Sequence, residues 1–191
     1  MTSTAQKRPP RRLWTADEVM AMVAAGILDE DEPVELIDGE LYTMSPQGPI
    51  HSENAVVVRR ALERAYGATH YARSHSPIDA GTASLPEPDI AIVRGEPFAL
   101  GKRYPGAAEL ALVVEISLTS QRLDRLKAGV YARAGVAEYW QIDVPKRCLV
   151  VFSEPRDGEY RRRDLRRDGD EVTPNGAAAA VAVSELLPPV G

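Results

Sequence analysis

Apolar positions recur along the chain in short blocks whose spacing alternates between helical and strand-like. Thr15 and Glu18 form a T-x-x-E capping box, and Val19, Met20, Met22 and Val23 give the following helix an apolar face that Gly26 can end. Two runs, Pro33–Ile37 and Glu40–Met44, flank Asp38-Gly39, the pair that best favours a tight type I′ hairpin. Val57, Val58, Ala61, Leu62 and Ala65 repeat at helical spacing and predict a helix over 52–66, closed by Gly67. Residues 69–88 read as strand-like pieces broken by Pro77, Gly81, Pro86 and Pro88, and 89–93 as a short β-rich run. A Gly/Pro-containing loop, 94–107, leads to Leu110–Ile116 (LALVVEI), the most apolar run and the pattern of a strand buried on both faces. Ser120 is a candidate cap for a helix reaching Ala134, stopped by Gly135. A strand follows over 138–143. Cys148–Ser153 and Tyr160–Leu165 then pair as a ribbon around Asp157-Gly158, before a last apolar piece, Val181–Leu187. The order predicts an α/β or α+β architecture with a mixed central sheet flanked by helices, an N-terminal helix and hairpin, and a C-terminal β-ribbon.

Composition narrows the class. The 191 residues (20.8 kDa) are 44% apolar and 27% charged, as expected for one globular domain over 13–191. Residues 1–12 carry four basic groups and no acid, and read as a disordered basic arm. The net charge is −5, which leaves the rest of the chain near −9. That balance argues against a broadly basic nucleic-acid coat protein but allows a local basic cleft. No run approaches the roughly 20 apolar residues of a membrane span, and the N-terminus has no apolar signal core, so a cytoplasmic location is expected. The single cysteine, Cys148, excludes an intramolecular disulfide and a Cys-rich zinc site, and reads as a small core residue.

Two carboxylates interrupt the apolar pattern. Asp89 opens one strand after Pro88, and Glu115 lies inside the most apolar one. An unpartnered buried carboxylate costs several kcal/mol, so each acid is either paired or holds a metal. If the two strands are neighbours, both acids project from one edge of the sheet, and hard oxygen ligands there suit Mg²⁺ or Mn²⁺. Ser117 shares a strand face with Glu115. Asp124, Lys127 and Tyr131 share one face of the next helix, from which Lys127 could lean back toward Glu115, or simply face solvent.

Pro88-Asp89, followed 26 residues on by Glu115-Ile116-Ser117, resembles the PD-(D/E)XK nuclease signature. The surrounding segments are more specific. Val34–Leu41 (VELIDGEL), Met44-Ser45-Pro46, His51 at a helix start, Pro88–Val93 (PDIAIV) and Leu112–Ser117 (LVVEIS) stand in the order of the Uma-two family of restriction-endonuclease-like proteins. So do Asp124–Lys127 (DRLK), Tyr131–Val136 (YARAGV) and Glu138–Asp143 (EYWQID), and the resemblance spans roughly residues 13–155. It implies a restriction-endonuclease-like core and Mg²⁺-dependent cleavage of DNA, with Mn²⁺ as a substitute. Asp89 and Glu115 match the motif acids. Ser117 occupies the usual lysine position, and Lys127 looks like the migrated replacement. Glu35 resembles the family's early acid, completing the metal shell or else facing solvent. His51 reads as structural, and Tyr131 and Trp140 as packing. Gln141 departs from the apolar residue usual after EYW, and either faces the site or solvent.

Two arginine groups could bind phosphate: Arg59, Arg60 and Arg64 on one helix, and Arg122, Arg125 and Lys127 on another. The arginine-rich run 156–171 holds six arginines and six acids, and reads as a salt-bridged exposed ribbon, with a dimer contact as the next reading. The expected function is metal-dependent endonucleolytic hydrolysis of DNA. The alternatives are an inactive nuclease-fold module that binds nucleic acid or protein, a structural homodimer, and a hydrolase of small phosphoesters.

Overall fold

In the computed structural model, residues 11–118 and 121–189 are described. Most of the arm 1–12, and the expected cap Ser120, therefore lie outside the described residues. Helix α1 spans Ala16–Ala24, and Thr15 and Glu18 cap it reciprocally, as the T-x-x-E pattern predicts. Strands β1 (Val34–Ile37) and β2 (Glu40–Thr43) pair antiparallel. Asp38 and Gly39 between them adopt φ of 49° and 79°, the two left-handed residues of a type I′ turn. A Cβ on Gly39 would stand 2.6 Å from Leu13 Cβ, so this glycine also admits the N-terminal segment.

Helix α2 runs Pro49–Tyr66, three residues earlier than the apolar spacing alone predicts. Proline at the first helical position needs no N–H partner, and Gly48 supplies the cap position, so the helix starts before its apolar stripe does. Of the pieces read in 69–88, only β3 (His70–Arg73) is a strand. It is followed by β4 (Ile90–Arg94), β5 (Leu110–Ser117), α3 (Gln121–Ala134), β6 (Glu138–Asp143), β7 (Cys148–Arg156) and β8 (Glu159–Arg167).

Strands β3 to β8 form one six-stranded sheet in that spatial order. All its pairs are antiparallel except β5 with β6, and that parallel pair takes α3 as its crossover. The terminal ribbon is hydrogen-bonded to β6, so it continues the central sheet. Every residue of β5 is buried. On one face Leu112, Val114 and Ile116 meet Val58, Leu62 and Trp140 beneath α2; on the other Val113 meets Tyr131 and Tyr139 beneath α3. Burying each such aliphatic side chain contributes about 1.5–3 kcal/mol, which explains why a strand read as apolar on both sides sits at the centre. The short strands β9 (Glu171–Val172) and β10 (Val181–Ala182) and the turn 183–186 close the α2 side, where Asn54 Nδ2 donates to the Leu186 carbonyl at 3.2 Å. No helix among the described residues is long and apolar enough to cross a membrane.

Candidate active site

Because β4 and β5 are neighbours with Ile90 opposite Val114, Asp89 at the head of β4 lies beside Ile116 near the end of β5. The Ile116 amide donates to Asp89 Oδ2 at 2.7 Å. His51, on the first turns of α2, places Nε2 3.2 Å from the same oxygen and 3.0 Å from the Ile116 carbonyl. Both partners only accept, so Nε2 carries the proton and Nδ1 is buried with no hydrogen-bond partner among the described residues. The hydrogen bond to Asp89 raises the His51 pKa against the opposing effect of burial. Gln47 Nε2 donates to Asp89 Oδ1 at 3.2 Å, and His75 Nδ1 stands 3.5 Å from that atom.

Glu115 projects from the α3 face of β5. Tyr131 donates its hydroxyl to Glu115 Oε1 at 2.6 Å, and Lys127 Nζ lies 3.1 Å from that oxygen. Lys127 is 2% exposed; its ammonium also donates to Glu35 Oε1 at 2.8 Å and to the Glu87 carbonyl at 3.4 Å, which engages its three protons. Glu35, on β1, keeps a second buried oxygen, Oε2, with no hydrogen-bond partner among the described residues. Two carboxylates thus share one ammonium. Burial pushes Glu115 up to about 8, opposed chiefly by Lys127 and reinforced by the charges of Asp89 and Glu35. Burial also raises Glu35 against the pull of Lys127. Burial alone would lower Lys127, but Glu115 and Glu35 overcome it and hold the ammonium above the ordinary lysine range.

The segment 43–48 walls a cleft of about 320 Å³, onto which Gln47, His51, Asp89, Glu115, Leu123 and Lys127 open. Larger concavities exist on the surface; in this one the two carboxylates and the lysine are all buried. The structure therefore brings together Asp89, Glu115 and Lys127 from three separate elements. Glu35 belongs to the same cluster but not to the wall of the cleft. Expected to complete a metal shell, it sits instead behind Lys127, 1% exposed, with one oxygen engaged by the ammonium.

Among the described residues, no three His, Cys, Asp or Glu side chains converge as a metal cage. Two carboxylates nevertheless fit Mg²⁺, which keeps several waters and takes one or two carboxylates together with substrate phosphate oxygens. Tyr131 and Lys127 both meet Glu115 at Oε1, and the Ile116 carbonyl lies beside Asp89.

Several partners were not legible in sequence. Gln47 and His75 come from irregular loops with no periodicity to aim them. His51 and Tyr131, read as structural and as packing, each bind a motif acid; for Tyr131 the signal was its i+4 spacing from Lys127. Trp140 does pack on the α2 side, with Nε1 donating to Glu138 at 2.8 Å. Gln141 stands opposite Glu115 in register and donates to Ser117 Oγ at 3.2 Å, in the groove next to the cleft. Arg59 and Arg64 pair with Glu63 and Glu185 on the exposed side of α2. The side chains of Arg122, Asp124 and Arg125 lie outside the described residues. Cys148 is a buried free thiol.

The Uma2 family, described as "Putative restriction endonuclease", matches residues 17–184. The fold is similar to the crystal structure of a "putative nuclease belonging to DUF820" from Anabaena variabilis ATCC 29413. That likeness has a TM-score of 0.73 at 19% identity, and covers 90% of this chain and 96% of that one. No curated protein matches the chain.

Proposed function

We propose that this chain, which belongs to the Uma2 family, is a metal-dependent endonuclease that hydrolyses DNA phosphodiester bonds in the cleft between α3 and the segment 43–48. The observation that carries the reading is the convergence of Asp89, Glu115 and Lys127, contributed by β4, β5 and α3, on one edge of the sheet. Buried acids in an apolar strand are costly to keep, and here they open onto a cleft beside a fixed positive charge.

Asp89 and Glu115 are the proposed holders of Mg²⁺ or Mn²⁺. Such an ion, when bound, supplies a polarised water and neutralises a phosphate oxygen. Asp89 is aimed by the Ile116 amide, His51 and Gln47, so its oxygens arrive pre-oriented. Lys127 is the proposed electrostatic partner of the phosphate, stabilising the charge that builds on its oxygens in the transition state. Glu35 holds the lysine from behind and is proposed as its positioning residue. Tyr131 keeps Glu115 Oε1 turned toward Lys127, leaving Oε2 for the cleft. Cutting both strands of a duplex would draw on two such clefts, so a homodimer acting in the cytoplasm belongs to the same proposal.

The test is cleavage of supercoiled and single-stranded DNA with Mg²⁺ or Mn²⁺ by the wild type, Asp89→Ala and Lys127→Ala. Metal-dependent nicking lost in both variants is the expected outcome. Nicking that persists in Asp89→Ala would move the site elsewhere, and absence of cleavage by the wild type on every substrate and metal would favour an inactive binding module.

A further inference from the structure

The half of the sheet beyond the cleft carries charge that the catalytic reading does not use. In the strand registers Glu115 stands opposite Gln141, Gln141 opposite Val150, and Val150 opposite Leu165. Two positions along, Ser117, Asp143, Cys148 and Arg167 form the next row on the same face. These rows lead from the proposed metal site on β5 to Leu165 and Arg167 on β8, three strand spacings or about 14 Å away, and the row on their other side, Tyr139 and Phe152, ends at Arg163. The hydrogen bond from Gln141 to Ser117 ties the start of the path to β5. A groove of about 490 Å³ follows it, with Val150 and Phe152 as an apolar floor and Lys146, Arg163 and Arg167 on its rim.

The pleat sorts the charges of this hairpin. Arg162 and Asp164 pair with each other on the face away from α3. On the groove face the Arg163 guanidinium lies 5.5 Å over the Phe152 ring, and neither it nor Arg167 has a carboxylate partner among the described residues. The one acid lining the groove among the described residues, Asp143, is taken by Lys146. A segment with no net charge therefore presents to one side two guanidinium groups that no carboxylate pairs among the described residues. Guanidinium forks match phosphate oxygens, and an apolar floor between them accepts sugar or base surface.

We propose that this groove binds the phosphate backbone of DNA beyond the scissile bond, with Arg163 and Arg167 each engaging a phosphate. The assignment rests on the nuclease reading for its substrate, and is tested apart from cleavage. Binding of a fluorescent 20-nucleotide duplex and of its single strand is followed by anisotropy in EDTA across a salt series. The proteins compared are the wild type, the Arg163→Gln/Arg167→Gln double variant and Arg162→Gln, each with its melting temperature recorded. The double variant is expected to melt like the wild type. It should bind about tenfold more weakly near 0.1 M salt, with a duplex salt slope shallower by about 1.8, the value for two lost phosphate contacts. Arg162→Gln, on the opposite face, should bind like the wild type. An unchanged slope in the folded double variant, or a wild type that does not bind DNA, overturns the groove. Asp89-dependent cleavage alongside unchanged binding would remove the groove and keep the nuclease. Arginine-dependent binding without cleavage would keep the groove and remove the nuclease.

Discussion

Lys127 Nζ lies 2.8 Å from Glu35 Oε1, joining α3 to the β1–β2 hairpin across 92 residues of sequence, with both side chains withdrawn from solvent. The same ammonium reaches Glu115 at 3.1 Å, so one lysine links the hairpin, the helix and the central strand. Stability and the proposed chemistry therefore meet in a single side chain.

Replacing Lys127 by Met keeps its volume but leaves two buried carboxylates without their cation. Removing one partner of a buried ion pair costs about 3–5 kcal/mol. For a chain of this length the melting temperature should fall by roughly 10 °C. Glu35→Gln, which retains a hydrogen-bond acceptor for the ammonium, should lose clearly less. Calorimetry of the three proteins checks this; a Lys127→Met variant that melts like the wild type would remove the structural role.

The metal-free protein should lose stability as pH rises from about 5 to 9. Glu115 titrates near 8 in the folded chain, against an ordinary value of 4.5. A carboxyl raised by folding stabilises fully below its unfolded value, and that contribution disappears as pH climbs through the folded one. His51, also raised, acts with the same sign. Urea unfolding in EDTA at successive pH values reads the slope, and Glu115→Gln should flatten it toward the alkaline end.

Tyr131→Phe removes a hydrogen bond that lowers the Glu115 pKa, while leaving the ring in its place beside Tyr139. Stability should drop by about 1–2 kcal/mol. Ionised Glu115 should then require higher pH, so the rising limb of a Mg²⁺-dependent cleavage profile should move to the alkaline side. An unshifted profile with reduced stability would leave Tyr131 a packing residue alone.

Local elements were legible because their signals are local. The reciprocal cap of Thr15 and Glu18, the Asp38-Gly39 turn and the apolar β5 each follow from neighbours a few positions apart. Asp89 and Glu115 stood out for a related reason: a carboxylate in an apolar run needs an explanation wherever the strand lies. The sequence also kept the spacing of Lys127 and Tyr131 on one helical face.

Which groups answer those acids was decided only in three dimensions. Glu35 could be read as a metal ligand until the hairpin packed against α3 and turned it toward the lysine. Gln47 and His75 reach Asp89 from loops whose path no periodicity encodes. The arginines of β8 summed to neutrality along the chain, and only the strand pleat separated the paired Arg162 from Arg163 and Arg167. Patterning determines which residues must be buried and which must turn, because burial and backbone sterics act over a few residues. The pairing of charges depends on which surfaces the sheet brings together, and that is a property of register and packing.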